Sequence, residues 1–223
     1  MSQPNDKKMA VVIVEDHPMF RERLAELINR EPDLEVCGEA DNIRDGFELI
    51  TRGGAQVAIV DITLQGSSGL ELLKNLKAAG ADLPVLVLSM HDESLYAERV
   101  LRAGAKGYIT KSEASAKVMT ALRQVLAGEI YLSPTMATKL LGQITGGSEP
   151  ATGLDRLTDR ELEVFQLIGR GLATREISEA LGLGAATVET YRARIKDKLE
   201  LENGARLQQA AVRWVQSAER QAA

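Results

Sequence analysis

Five residues in the first half of the chain have side chains that could carry out chemistry together: Glu15, Asp16, Asp61, Ser89 and Lys111. The three carboxylates would repel one another if brought together, and such a group calls for a cation. An oxygen-rich acidic pocket suits Mg²⁺, which takes one or two carboxylates and keeps water positions for phosphate oxygens. A carboxylate can also act as a nucleophile toward phosphorus and form an aspartyl phosphate. That transfer needs positive charge on the phosphoryl oxygens, which Mg²⁺ and the Lys111 ammonium would provide. The Ser89 hydroxyl would donate a hydrogen bond to the arriving group.

These residues can meet only if the chain brings them to one edge. Ala10 to Val14 is a short, β-rich apolar run and reads as a buried strand, with Glu15 and Asp16 just beyond it. Further strands are expected at Leu34 to Ala40, Val57 to Val60 (followed by Asp61), Pro84 to Leu88 (followed by Ser89) and Gly107 to Ile109 (followed shortly by Lys111). Between them the spacing predicts helices over Pro18–Arg30, Arg44–Thr51, about 68–79, Glu93–Ala103 and Ala114–Leu126, several of them stopped by glycine. Alternation of this kind implies a doubly wound parallel sheet, whose ligands bind at the carboxyl ends of the strands. In the flavodoxin-like strand order the first and third strands are neighbours there, so all five residues converge. Cys37, the only cysteine among 223 residues, lies in the second strand and is expected to be a small core residue; one cysteine supports neither a disulfide nor a cysteine metal cluster.

The second half is helical throughout. Thr158 and Glu161 fit a capping box, with Leu157 and Leu162 placed as a staple ahead of a helix that buries Leu162, Phe165 and Ile168. Thr174 is expected to cap a short helix ending at Leu181, with Gly182 as its left-handed stop. A longer helix follows over Ala185–Leu199 and a last one over about Ala205–Val215. A short helix, a tight turn and a long helix make helix-turn-helix geometry. Net charge is −5, so the chain is not coated in basic surface, yet Arg192, Arg194, Lys196 and Lys198 crowd the long helix with only Asp197 opposing them. No run approaches a membrane span, and the polar start (Met1 to Lys8) lacks the apolar core of a secretory signal, so a cytoplasmic place is expected.

The segments Val14-Glu15-Asp16-His17, Val60 to Leu64, Leu88-Ser89 and Gly107 to Lys111 resemble the two-component receiver domain. The resemblance implies a (βα)5 receiver over residues 9–127 with Asp61 as phosphoacceptor. It also implies Mg²⁺ held by Glu15, Asp16, Asp61 and the backbone carbonyl of Thr63, and a switch pair of Ser89 and Tyr108. An ordinary half-buried aromatic remains the alternative for Tyr108. Residues 128–153 are expected to be a linker with a possible helix at Pro134–Ile144 and a flexible stretch at Gly146 to Pro150. The sets Leu157 to Glu161, Gly171 to Ile177 and Thr187 to Arg192 resemble the LuxR-type helix-turn-helix domain of NarL/FixJ-family regulators over residues 154–215. That resemblance gives Arg175, Thr187, Glu189, Thr190, Arg192, Ala193 and Lys196 to DNA. Val188, Ile195 and Leu199 are left for the core.

Together the two resemblances imply a response regulator. It would take a phosphoryl group from a sensor histidine kinase or a small phosphodonor, with Mg²⁺ as cofactor. It would bind double-stranded promoter DNA, form a homodimer when active, and catalyse only its own phosphorylation and dephosphorylation. The last helix, with Leu207, Ala210, Ala211, Trp214 and Val215, could be a dimer seam or pack on its own domain. Three positions depart from the usual pattern: Gln65 where many receivers carry Pro, Gly184 where many relatives carry Ser, and Glu189 where many carry Lys. Other readings fit less well. Thr63 stands where aspartate-nucleophile phosphatases place a second Asp, and the turn Glu15 to Pro18 has no glycine-rich cradle for a dinucleotide. A small-molecule-sensing LuxR regulator would not need the acidic pair, Asp61 and Lys111 together. A receiver that binds partners without phosphorylation is the remaining rival.

Overall fold

The computed structural model describes residues 8–64, 67–90, 93–144 and 153–222. The chain divides into two compact units, Met1–Thr138 and Lys139–Ala223.

In the first unit, β1 (Met9–Val14), β2 (Leu34–Ala40), β3 (Val57–Asp61), β4 (Val85–Ser89) and β5 (Gly107–Thr110) form one parallel sheet. Its order is β2-β1-β3-β4-β5. The three inner strands are buried on both faces, as expected where helices cover a parallel sheet, and this is why they read as unbroken apolar runs. The helices are α1 (Pro18–Asn29), α2 (Ile43–Thr51), α3 (Gly69–Ala78), α4 (Glu93–Arg102) and α5 (Ala114–Leu126). Val11, Ile13, Ile59, Leu86 and Leu88 of the sheet pack with Leu24, Ile28, Val118, Leu122 and Val125 in one apolar core.

Register brings the strand ends level. Val14 lies opposite Val60, Asp61 opposite Leu88, and Ser89 opposite Thr110. Behind Asp61, Thr63–Leu64 pairs antiparallel with Ser67–Ser68, and Gly69 starts α3 with its N–H donating to the Ile62 carbonyl at 2.7 Å. A Cβ at Gly69 would sit 2.0 Å from the Asp61 carbonyl oxygen, so the loop can close against Asp61 only with glycine there. Gln65 lies outside the described residues.

Cys37 departs from expectation. It is exposed, together with Glu35 and Glu39, while Leu34 and Ala40 are buried. β2 is an edge strand with alternating faces, and the ladder passes over Cys37: Val11 pairs with Val36 and Val12 with Gly38. The cysteine is the extra residue of a bulge, turned to solvent.

At the other edge, the segment after α5 adds to β5. Tyr131 bridges Gly107 in parallel; the Tyr108 N–H donates to the Tyr131 carbonyl at 3.0 Å and the Tyr131 N–H to the Lys106 carbonyl at 2.9 Å. Glu93, the first residue of α4, accepts from the Ser133 N–H at 2.8 Å, and the Ser133 hydroxyl accepts from the Met136 N–H. Ser133 thereby caps α6 (Pro134–Ile144), the helix within which the two units divide. The Gly146 to Pro150 stretch lies outside the described residues.

The second unit contains α7 (Asp159–Gly169), α8 (Thr174–Leu181), α9 (Ala185–Lys198) and α10 (Gly204–Ala222), preceded by a 3-10 turn at Leu154–Arg156. The capping box is formed: the Thr158 hydroxyl accepts from the Glu161 N–H, and Glu161 Oε2 accepts from the Thr158 N–H at 2.7 Å. Leu157, Leu162, Phe165 and Ile168 are buried. Thr174 is not the cap of α8. Ala173 occupies that position and offers no side-chain acceptor; Glu176 serves instead, accepting from the Ala173 N–H at 2.7 Å. Gly182 does adopt the left-handed stop, at φ 62°. α10 outruns its expected end, because Ser217 to Ala222 continues with helix-tolerant residues after the apolar periodicity stops at Val215. It lies close on α7, where a Cβ at Gly169 would meet the Ala211 carbonyl at 2.5 Å.

Candidate functional site

At the carboxyl edge of the sheet, Lys111 follows β5 and reaches back between two carboxylates. Its Nζ lies 2.7 Å from Asp61 Oδ2 and 2.6 Å from Glu15 Oε2, and all three side chains are at most 5 % exposed. The ammonium also sits over the Phe20 ring, 4.7 Å from its centroid, a cation–π contact supplied by α1. The Lys111 N–H donates to the Ser89 carbonyl at 2.7 Å, which ties the ends of β4 and β5 together. Asp61 Oδ1 accepts from the Thr63 N–H at 3.2 Å.

Two buried carboxylates share one ammonium, so one negative charge is left over. Burial, and then the neighbouring Glu15 charge, push the Asp61 carboxyl up to about 7, against the opposing pull of Lys111. Burial alone would lower the Lys111 ammonium, but Asp61 and Glu15 outweigh it and hold it above the ordinary lysine value. The lysine therefore stays charged, and Asp61 is the carboxyl whose ionised form is destabilised.

Asp16 follows Glu15 directly, its side chain 9 % exposed. One donor atom from each of Glu15, Asp16, His17 and Asp61 falls within 4.8 Å of the others. The expected carboxylates thus come together. Thr63 is close by its N–H to Asp61. Ser89 is fully buried at the end of β4, and Tyr108 is 1 % exposed on β5, more enclosed than a half-buried aromatic. His17, Arg21 and Phe20 were not anticipated at the site. Arg21 Nη1 donates to the Glu15 carbonyl at 2.5 Å and its Nε lies 3.5 Å from Glu39, so it braces the turn after β1. For His17 the sequence did hold a sign, its place directly after the acidic pair.

In the second unit, Val188 and Ile195 of α9 are fully buried, while Leu199 is only half-buried. Opposite them Ala186, Thr190, Ala193 and Asp197 form an exposed stripe at helical spacing, with Thr187 and Arg194 along one shoulder. Glu189 and Lys196 lie on the other shoulder. Arg192 is nearer the core, its side chain 22 % exposed and its Nε 3.6 Å from Glu189. Glu189 Oε1 also accepts from the Thr174 hydroxyl at 2.6 Å, linking α9 to the first residue of α8. Arg175 is 89 % exposed and pairs with Glu179. Arg194, in the basic run but not among the residues given to DNA, faces outward more fully than Arg192. Trp214 of α10 packs its ring 5.5 Å from that of Phe165, within its own unit.

Comparison with known proteins agrees with both halves. Residues 11–123 match the response regulator receiver domain, and residues 155–212 match the bacterial regulatory proteins of the luxR family. The chain is 35% identical over 199 residues to the transcriptional regulatory protein UhpA of Salmonella typhimurium, covering 89% of this chain and 95% of that one. It is 32% identical over 203 residues to the response regulator GacA of Pseudomonas aeruginosa, covering 91% and 95%. Among solved structures, a LuxR-family two-component response regulator from Aurantimonas matches with TM-score 0.57 at 29% identity, covering 62% of this chain and 99% of that one. The fold also matches RcsB from Salmonella enterica serovar Typhimurium at TM-score 0.59 and 23% identity, covering 92% and 99%.

Proposed function

Because this chain belongs to the two-component response regulators that join a receiver domain to a LuxR-type DNA-binding domain, and so acts in transcription regulation rather than as a classical enzyme, we propose that Asp61 is its phosphoacceptor. The observation that carries this reading is the Lys111 ammonium buried between Asp61 and Glu15. An Asp61 oxygen attacks phosphorus in line, the bond from phosphorus to the donor's leaving atom breaks, and the leaving group departs with its electron pair and takes up a proton. With a sensor histidine kinase as donor, the leaving group is an imidazole nitrogen. Lys111 then turns from the Asp61 carboxylate to a phosphoryl oxygen, and the Ser89 hydroxyl donates to another. Glu15, Asp16, Asp61 and the Thr63 carbonyl would hold Mg²⁺. Bound there, the ion supplies charge neutralisation on the phosphoryl oxygens. The donor set fits it, being oxygen-rich with three carboxylates against the single Lys111 ammonium. The acceptor's own chemistry is confined to gaining and losing this phosphoryl group.

The coupling to output runs through Ser89 and Tyr108. Tyr108 shares β5 with the bridge to Tyr131, and α4 begins at Glu93, which holds the Ser133 cap of α6. A rearrangement of Ser89, Tyr108 and α4 on phosphorylation would therefore be felt at the start of the helix that leads out of the receiver. In this reading the shift alters domain docking or dimerisation. It thereby changes access of α9 to the major groove of double-stranded promoter DNA in the cytoplasm. Thr187, Thr190 and Ala193 would face base edges. Arg175, Arg192 and Lys196 would meet phosphates, with Glu189 between them. Incubation with Mg²⁺ and acetyl phosphate, followed by intact mass, tests the acceptor. One phosphoryl group per chain is expected, lost without Mg²⁺ and in Asp61→Asn; full labelling of Asp61→Asn overturns the assignment.

A further inference from the structure

The cation reading above uses oxygen ligands only, and His17 stands outside it. Yet the His17 Nδ1 lies 2.8 Å from Asp16 Oδ1 and 3.0 Å from Glu15 Oε1. A neutral ring nitrogen carries at most one hydrogen, which a single one of these oxygens can take along its axis; the other is left as a close nitrogen–oxygen approach. Both distances have a second meaning. Adjacent ligands held at about 2.1 Å from one octahedral ion stand about 3 Å apart. The imidazole nitrogen and the two carboxylate oxygens are therefore spaced as ligands that share an ion.

The ring is also placed with little freedom. The His17 N–H donates to Glu15 Oε1 at 3.0 Å, folding the turn back on the acidic pair, and Pro18 begins α1 immediately afterwards. The side chain is 66 % exposed, so the ring lies at the solvent edge of the cluster, where an ion on Nδ1 would keep water positions. Imidazole favours first-row transition dications over Mg²⁺, which prefers oxygen throughout.

Building on the reading that Glu15, Asp16 and Asp61 hold a divalent cation, we propose that His17 supplies a nitrogen ligand to that site, tilting its selectivity from Mg²⁺ toward transition-metal dications such as Mn²⁺ and Co²⁺. His17 thereby sets which metal the receiver carries. The phosphoacceptor is unchanged.

The full-length chain loaded with Mn²⁺ is examined by pulsed EPR for ¹⁴N coupling, and Co²⁺ and Mg²⁺ are titrated by calorimetry. Wild type should show coupling to one imidazole nitrogen, absent in His17→Asn and retained in His91→Asn, which alters the only other histidine. In His17→Asn the Co²⁺ affinity should fall about tenfold or more while Mg²⁺ affinity changes by less than roughly threefold. Binding of Mn²⁺ without nitrogen coupling, or an unchanged Co²⁺-to-Mg²⁺ ratio, overturns the role of His17 alone. Failure of every one of these ions to bind wild type overturns the cation site itself, and this proposal with it.

Discussion

Replacing Asp61 with Asn should stabilise the metal-free receiver, and the gain should depend on pH in a defined direction. The Asp61 carboxyl is raised from an ordinary aspartate's 3.8 to about 7, first by burial and then by Glu15. An acid whose folded value lies above its unfolded value binds more protons when folded. Between about pH 4 and 7 the folded receiver therefore loses stability as pH rises, and above 7 that loss is complete. At 1.36 kcal/mol per tenfold change in proton affinity, the full penalty is about 4 kcal/mol. Asparagine keeps the shape and removes the charge. It also gives up the attraction to Lys111, which still has Glu15 at 2.6 Å. The net gain expected at pH 8 in EDTA is about 1–3 kcal/mol, shrinking toward zero by pH 4. Urea unfolding followed by far-UV circular dichroism measures it in the intact chain. Trp214, the only tryptophan, lies in the second unit, so its fluorescence reports on that unit. A variant no more stable than wild type at pH 8, or a gain of equal size at pH 4 and 8, would refute the reasoning.

Three further outcomes follow from the geometry. Lys111→Met leaves Glu15 and Asp61 buried without a cation, and should cost about 3–5 kcal/mol in EDTA; urea titration in which added Mg²⁺ fails to recover any of that loss would contradict the shared-charge account. Arg194→Ala removes an outward cation from α9 and should reduce the slope of log affinity against log salt by about one on random duplex DNA; an unchanged slope would mean that this shoulder does not face the backbone. Glu200 is the only non-glycine at positive φ among the described residues, 56°, two residues past the end of α9. Glu200→Gly should stabilise the second unit by about 1 kcal/mol, because its exposed pairing with Arg156 contributes less than the relieved strain. Trp214 fluorescence against urea reads this, and a loss of stability would show that the Arg156 pair dominates.

The sheet and its helices were legible because each signal was local. Short apolar runs at Ala10 to Val14, Val57 to Val60 and Pro84 to Leu88 marked the inner strands, and Gly80, Gly104 and Gly182 marked helix ends that all adopt positive φ. The acidic pocket was legible for the same reason: strand ends in a parallel sheet lie level, so residues distant in sequence could be assigned to one edge. Errors arose where a partner lay elsewhere in the chain. Thr174 has the right chemistry for a cap, yet its hydroxyl is taken by Glu189 on the following helix. Glu189 itself looked like a misplaced charge on a groove-facing surface; the structure gives it a partner in Thr174 and a near neighbour in Arg192, bracing α8 against α9. Cys37 was misjudged on residue type, although the alternation Glu35, Cys37, Glu39 already pointed it outward. The bridge from β5 to Tyr131 left no trace in periodicity, because a single backbone pairing needs no particular side chain.

The identity of the carboxylate that accepts the phosphoryl group is open to direct chemical test. Borohydride reduces an aspartyl phosphate to homoserine, so treating the protein after incubation with acetyl phosphate and Mg²⁺ marks the acceptor permanently for peptide sequencing by mass spectrometry. Homoserine is expected at position 61, with Asp16 and Glu15 unchanged and the mark absent from Asp61→Asn. Homoserine at position 16, or no mark at 61 while the intact protein carries a phosphoryl group, would contradict the assignment to Asp61.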